Sequence, residues 1–132
     1  LDEGVDMVLW ALSNSVGGEI FVPKIPSYNI VDLAEAIGPN CKKEIIGLRE
    51  GEKIHEEMIT IADSFNTFDL GDYYSILPSN ENIIDLFKSK SVSCKKVKSD
   101  FTYNSGTNPV FLSIEQIRKL IITHLDKNFK PI

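Results

Sequence analysis

Cysteine and histidine are scarce in this chain. Cys41 and Cys94 form no CxxC pair, and neither has a histidine at ligand spacing. A zinc site needs clustered thiolates and imidazoles, so no metal site is read here. The separation of the two cysteines allows a disulfide, but free thiols are the expectation for an intracellular composition. His55 and His124 stand alone in sequence. Long apolar runs are missing as well. None approaches the roughly 20 residues of a membrane helix, so no membrane partner is expected. No basic segment followed by an apolar core opens the chain, so no signal peptide is expected there. Basic excess is also absent. The net charge of -5 gives no general attraction to nucleic acid. The local cluster Lys88, Lys90, Lys95, Lys96 and Lys98 reads as a solvated face.

What is present is an ordinary globular composition. With 42% hydrophobic and 25% charged residues over 132 positions, one domain around a single core is expected. The chain begins Leu1-Asp2-Glu3-Gly4 without an initiator Met and is helix-patterned almost at once, which points to a piece of a longer protein.

Residues 2 to 14 are predicted helical. Val5, Val8, Leu9 and Leu12 make a stripe for burial, widened by Met7, Trp10 and Ala11. Gly17-Gly18 ends this element. Residues 19 to 24 are a strand candidate, placed at an edge or finishing there because Pro23 cannot donate to a ladder. Pro23 and Pro26 then stiffen the loop that carries Lys24. Residues 30 to 37 form a predicted helix. Asn29 is its N-cap, Asp32 lies in its first turn and Gly38-Pro39 stops it, with Ile30, Leu33, Ala34 and Ile37 facing the core.

A second strand is predicted over 43–48 and a helix over 52–62, the latter with Ile54, Met58 and Ile61 as its stripe. Residues 63–71 read as turn-rich, 73–77 as a short strand and 82–87 as one or two helical turns. No periodicity marks 89–109, where Asn104-Ser105-Gly106 signals a turn. A helix over 114–126 closes the chain, with Ser113 and Gln116 as a capping box and Ile114, Ile117, Leu120, Ile121 and Leu125 as its core stripe. The alternation of helix and strand gives an α/β class, helices packed with a few short strands.

Charge concentrates where the apolar run Ile45-Ile46-Gly47-Leu48 meets Arg49-Glu50-Gly51-Glu52-Lys53. Arginine suits phosphate because its planar fork donates two parallel, charge-assisted hydrogen bonds. At a strand-to-helix junction, free helix N–H groups would add to it. Glu50 and Glu52 would repel an anion unless one of them orients the guanidinium or accepts from sugar hydroxyls. Two readings stay open on spacing alone: a phosphate clamp, or a surface ion-pair cluster of Glu52, Lys53, Glu56 and Glu57 supporting a helix. Lys24 divides the same way, between an exposed cation and one held beside a ligand. His55 reads as a helix-surface residue.

Four stretches carry a resemblance. Leu-Asp-Glu-Gly-Val-Asp-Met-Val at 1–8, Gly-Gly-Glu-Ile-Phe-Val-Pro-Lys-Ile-Pro-Ser at 17–27, Asp-Leu-Ala at 32–34 and Arg-Glu-Gly-Glu-Lys-Ile-His-Glu-Glu-Met at 49–58 resemble the carboxy-terminal part of the inverting UDP-N-acetylglucosamine 4,6-dehydratases. These are capsule and flagellin-glycosylation enzymes of the extended short-chain dehydrogenase/reductase superfamily. The likeness is dense over about 1–77, and Phe111-Leu112-Ser113-Ile114-Glu115 is similar to the end of capsule-type members.

The resemblance implies a lyase that removes water from UDP-GlcNAc with NADP as transient hydride acceptor. C4 is oxidised, water leaves across C5–C6, and the hydride returns to C6 with inversion at C5. The family's Gly-rich loop and Tyr-x-x-x-Lys pair lie in an amino-terminal Rossmann domain, and neither pattern occurs in this chain. Residues 1–132 are therefore expected to be the small substrate-binding domain, with 78–132 as its tail. On this basis the chain carries no catalytic residue and no cofactor site, NADP belonging to the whole enzyme. Arg49 matches the family's diphosphate-contacting arginine, Glu52 the acid that follows it, and Lys24 lies in the loop facing the substrate cleft. Glu50 departs from the family, which carries proline there. The expected partners are a UDP-sugar and the missing Rossmann domain. The whole enzyme is expected to be cytoplasmic and a homo-oligomer. Two rival readings are a freestanding protein-interaction module and the equivalent domain of a UDP-sugar epimerase.

Overall fold

The computed structural model describes residues 2–78 and 82–132. Leu1, at the head of the first resembling stretch, and positions 79–81, in the expected tail, lie outside them. The chain divides into two compact units, one made of the residues up to Lys24 together with Glu57–Tyr103, the other of Ile25–Glu56 and Asn104–Ile132.

In the first unit, helix α1 (Asp2–Asn14) leads into strand β1 (Ile20–Pro23). The carboxylate of Glu19 closes the connection by accepting from Val16 N at 2.6 Å and Gly17 N at 2.7 Å. Lys90 Nζ donates to the carbonyls of Ser13 and Ser15, satisfying groups that the helix end leaves open. Strand β1 joins a four-stranded antiparallel sheet, in which β4 (Tyr73–Ile76) lies between it and β3 (Thr67–Asp69), and β5 (Lys95–Lys96) forms the far edge. The edge position expected for β1 is where Pro23 has placed it, since a proline there costs no inner ladder bond.

The sheet register sorts the core. Ser75 of β4 pairs with Phe21 on one side and Phe68 on the other, so all three share a face. That face packs on Trp10 of α1 and on α4 (Ile83–Ser89), through Ile83 and the fully buried Phe87. Tyr74 and Ile76 point the opposite way, toward Val22, Ile59 and Tyr103. Ile59 belongs to β2 (Glu57–Ile59), which pairs with β6 (Tyr103–Asn104). A four-residue helix, α3 (Ile61–Ser64), follows β2 with Thr60 and Asp63 as its capping box.

In the second unit, α2 (Ile30–Ile37) packs on α5 (Ile114–His124). Both begin as the sequence predicts. Asn29 Oδ1 accepts from Val31 N, and Ser113 and Gln116 form a reciprocal capping box. Arg118 of α5 donates to the carbonyls of Glu35 and Ala36, tying the two helices together.

Five expectations are corrected. The apolar stripe Val5, Val8, Leu9 and Leu12 is exposed; the half-buried face of α1 is instead Met7, Trp10, Ala11 and Asn14, also at helical spacing. Two apolar stripes compete on one helix, and the sheet takes the one that carries the indole. In α2 the inward residues are Leu33 and Ala36, while Ile30, Ala34 and Ile37 are exposed; in α5, Ile117 is buried but Leu120 and Leu125 are exposed. Residues 43–48 form no strand, because their backbone finds no partner strand among the described residues, and Ile45 is 93% exposed. No helix runs over 52–62. Ser105 captures Glu56 from both sides, its N–H donating to the Glu56 carbonyl at 2.8 Å and its hydroxyl accepting from Glu56 N at 3.0 Å, and β2 follows at once. Strand pairing there overrides local helix patterning. Strands β3, β5 and β6 lie where no strand is read from sequence.

Ser75 generates a prediction. Its hydroxyl is fully buried and has no hydrogen-bond partner among the described residues. Replacing it by alanine removes an unsatisfied polar group at little cost in packing. Ser75→Ala should raise stability to urea by about 1 kcal/mol, at the low end of the penalty for an unmade buried hydrogen bond. A loss of stability would show that the hydroxyl is satisfied in solution.

Candidate functional site

Arg49 and Glu52 are brought together, but by a turn rather than by a helix start. Glu52 N donates to the Arg49 carbonyl at 3.1 Å, and one Glu52 carboxylate oxygen accepts from Arg49 N at 2.8 Å. The other lies 3.9 Å from Arg49 Nε. Glu52 thus holds the backbone of Arg49 and leans on its guanidinium, while the arginine side chain stays 74% exposed. Gly51 has φ of 85°, as the third residue of such a turn requires. The absent helix removes the N–H groups expected to assist Arg49. Beside this turn an open cleft of about 630 Å³ is lined by the apolar Ile30, Leu48 and Ile54 and by the charged Glu52, Lys53 and Glu56. A lining of apolar side chains with a few charged groups suits a ring carrying a charged tail.

His55 is not on a helix surface. It lies on a bend just before β2, with its ring so close to Gly106 that a Cβ there would come within 2.8 Å. Asn104 Oδ1 accepts from Gly106 N and Thr107 N, building the turn expected at Asn104-Ser105-Gly106.

Lys24 belongs to the other unit. Its ammonium donates to Asp69 Oδ1 at 2.7 Å and stands 4.5 Å from the centre of the Tyr74 ring. Burial pushes the Asp69 carboxyl up. The hydrogen bonds from Lys24 and Gly71 N, with the charges of Lys24 and Lys95, outweigh it and leave the group below the ordinary aspartate value. Burial raises the Tyr74 phenol, against the pull of the Lys24 charge. Sequence reasoning missed Asp69 and Tyr74 because they lie far along the chain from Lys24. The local signal was Asp69-Leu70-Gly71, an aspartate two residues before a glycine, whose carboxylate accepts from Gly71 N.

The glycine pair does not offer a cradle for a dinucleotide's pyrophosphate. At Gly17-Gly18, the chain's glycine pair, the Val16 and Gly17 N–H groups are filled by the Glu19 carboxylate, and a pyrophosphate there would meet a negative charge. Among the described residues no group of three or more His, Cys, Asp or Glu could hold a metal, and no helix is long and apolar enough to cross a membrane. Cys41 and Cys94 are free.

A family model described as polysaccharide biosynthesis protein matches residues 1–78. The chain belongs to this polysaccharide biosynthesis family. It is similar to a Campylobacter jejuni protein named UDP-N-acetylglucosamine 4,6-dehydratase (inverting), at 42% identity over 126 residues, 92% of this chain and 37% of that protein. It is also similar to a Rickettsia akari protein named UDP-glucose 4-epimerase, at 35% identity over 93% of this chain and 37% of the relative. Among solved structures it resembles Pen from Bacillus thuringiensis, with a TM-score of 0.71 and 28% identity over 94% of this chain and 35% of that one. The chain thus spans little more than a third of the length of these family relatives, and its α/β class agrees with its solved neighbour.

Two predictions follow from the local geometry. Glu50 is the second residue of the Arg49–Glu52 turn, where proline pre-sets φ. Glu50→Pro should stabilise by about 0.5 kcal/mol and Gly51→Ala should destabilise by about 1 kcal/mol, both read by urea denaturation. The second concerns Asp69. A carboxyl depressed in the folded state contributes stability above its unfolded value, about 3.9, and loses it as pH falls through the folded value. Lys24→Met should therefore raise the Asp69 pKa, followed by carboxyl-carbon NMR, and move the onset of acid destabilisation to higher pH.

Proposed function

We propose that this chain is the nucleotide-sugar-binding domain of a UDP-GlcNAc 4,6-dehydratase, a cytoplasmic lyase of bacterial capsule or surface-glycan biosynthesis. The observation that carries this reading is the 42% identity to the Campylobacter dehydratase across nearly the whole chain, joined to an exposed arginine beside an apolar-walled cleft. In this reading residues 1–132 act as one substrate domain. Arg49 donates to the diphosphate, Glu52 orients it and accepts from hydroxyls, and Lys24 donates a further charge-assisted bond. A Rossmann domain in the whole enzyme supplies NADP, which takes and returns the hydride. This chain binds and orients the substrate and transforms nothing. The exposed Val5, Val8, Leu9 and Leu12 on α1 support work against a further domain, because a lone soluble unit gains nothing from presenting that stripe to water. The Rickettsia relatives favour a second reading, the same domain in a UDP-glucose 4-epimerase.

Titration of the 132-residue chain with UDP-GlcNAc, followed by amide NMR, should move the resonances of 48–56. Arg49→Ala should weaken binding about tenfold or more, the scale of a lost charge-assisted contact. Unchanged affinity in that variant would remove Arg49 from the site, and sugar dehydration by the chain alone would overturn the reading.

A further inference from the structure

We infer that Asp69 is a positioning residue which, with the Tyr74 ring, holds the Lys24 ammonium in one pose for donation to an anionic oxygen of the nucleotide-sugar. The inference rests on the substrate-binding role proposed above for Lys24.

The sheet builds this arrangement. Tyr74 pairs with Val22 of β1 on one side and with Asp69 of β3 on the other, so the Lys24 side chain, leaving β1 after Pro23, passes over the Tyr74 ring to reach Asp69. Each is fixed independently of Lys24. The Asp69 oxygen that accepts from Lys24 at 2.7 Å also accepts from Gly71 N at 2.8 Å, which ties the carboxylate to its own turn. The Tyr74 ring packs against Phe101 at 5.0 Å and Tyr103 at 5.3 Å. Pro23 restricts the backbone on the other side. The ammonium thus sits between a fixed carboxylate and a fixed ring face.

An ammonium has three donors. Asp69 takes one and the Tyr74 ring faces the ammonium, while the Lys24 side chain remains 31% exposed, which leaves a side of it accessible to a ligand. Lysine is among the costliest side chains to immobilise on binding. Here the immobilisation precedes the ligand, which is how preorganisation raises affinity. Charge works in the opposite direction. A carboxylate beside the ammonium weakens its pull on an anion, so removing that charge alone would tighten binding. The sign of the mutant's effect separates position from charge.

The test is calorimetric titration of the 132-residue chain with UDP-GlcNAc, in the wild type, Asp69→Asn, Asp69→Glu, Lys24→Met and the Lys24→Met/Asp69→Asn pair, with melting curves alongside. Asp69→Asn is expected to weaken binding by about five- to tenfold although it removes a negative charge, and to add nothing in the Lys24→Met background. Asp69→Glu should recover part of the loss. Unchanged or tighter binding in Asp69→Asn overturns the inference, as does an equal loss with Lys24 already removed, which would mark a structural role. Should Asp69→Asn fail to fold, Tyr74→Leu decides. It removes the ring face and should weaken binding in the same Lys24-dependent way, and wild-type affinity in that variant overturns the inference. If Arg49→Ala loses affinity while Asp69→Asn keeps it, only this inference falls. If the wild type does not bind, the nucleotide-sugar reading falls with it.

Discussion

The pairing of β4 with β1 on one side and β3 on the other is the constraint on which the first unit depends. Side chains alternate across a strand, so one register decides both faces at once. It sets Ser75 between Phe21 and Phe68 over the indole of Trp10 and the ring of Phe87, and it turns Tyr74 toward Tyr103 and Ile59. A slip of one residue would carry Tyr74 into the Trp10 face and leave Asp69 without its place beside Lys24. The same pairing that forms the core therefore sets the Lys24–Asp69 contact.

The unit holding Arg49 is organised differently. Its helices α2 and α5 are joined by Arg118, whose guanidinium bonds two backbone carbonyls at the end of α2. The segment between α2 and β2 has neither helix nor strand and is shaped by turns: Glu52 folds back on Arg49, and Ser105 clasps Glu56. Such a segment orders a few polar contacts without burying its apolar side chains. Ile45, Ile46, Leu48 and Ile54 stay exposed as a result. In a family whose members run to nearly three times this length, apolar side chains left on the surface agree with the proposal that a further domain completes the enzyme.

Signals that act over a few residues were legible in the sequence. The Asn29 and Ser113 caps, the stop at Gly38, the edge position of Pro23 and the turn at Asn104-Ser105-Gly106 each depend on neighbours within about four positions. Apolar periodicity was a weaker guide. On α1 two stripes share the helix, and only the sheet selects between them. Around Arg49 a strand-like run and a helix-like run form neither element, since a strand needs a partner and the Ser105 clasp comes from 49 residues away. The contacts of the candidate site were legible in part for the same reason: Arg49 and Glu52 lie three apart, whereas Asp69 is 45 residues from the lysine it holds.

The sequence by itself determined the family, the caps of α2 and α5 and the stop at Gly38, because these reside in residue identity and short spacing. The tertiary structure alone decided which face of α1 is covered, that Arg49 stands on a turn rather than at a helix start, and that Lys24 is paired with Asp69. Those outcomes depend on hydrogen bonds and packing between segments far apart in the chain, and local chemistry cannot specify them.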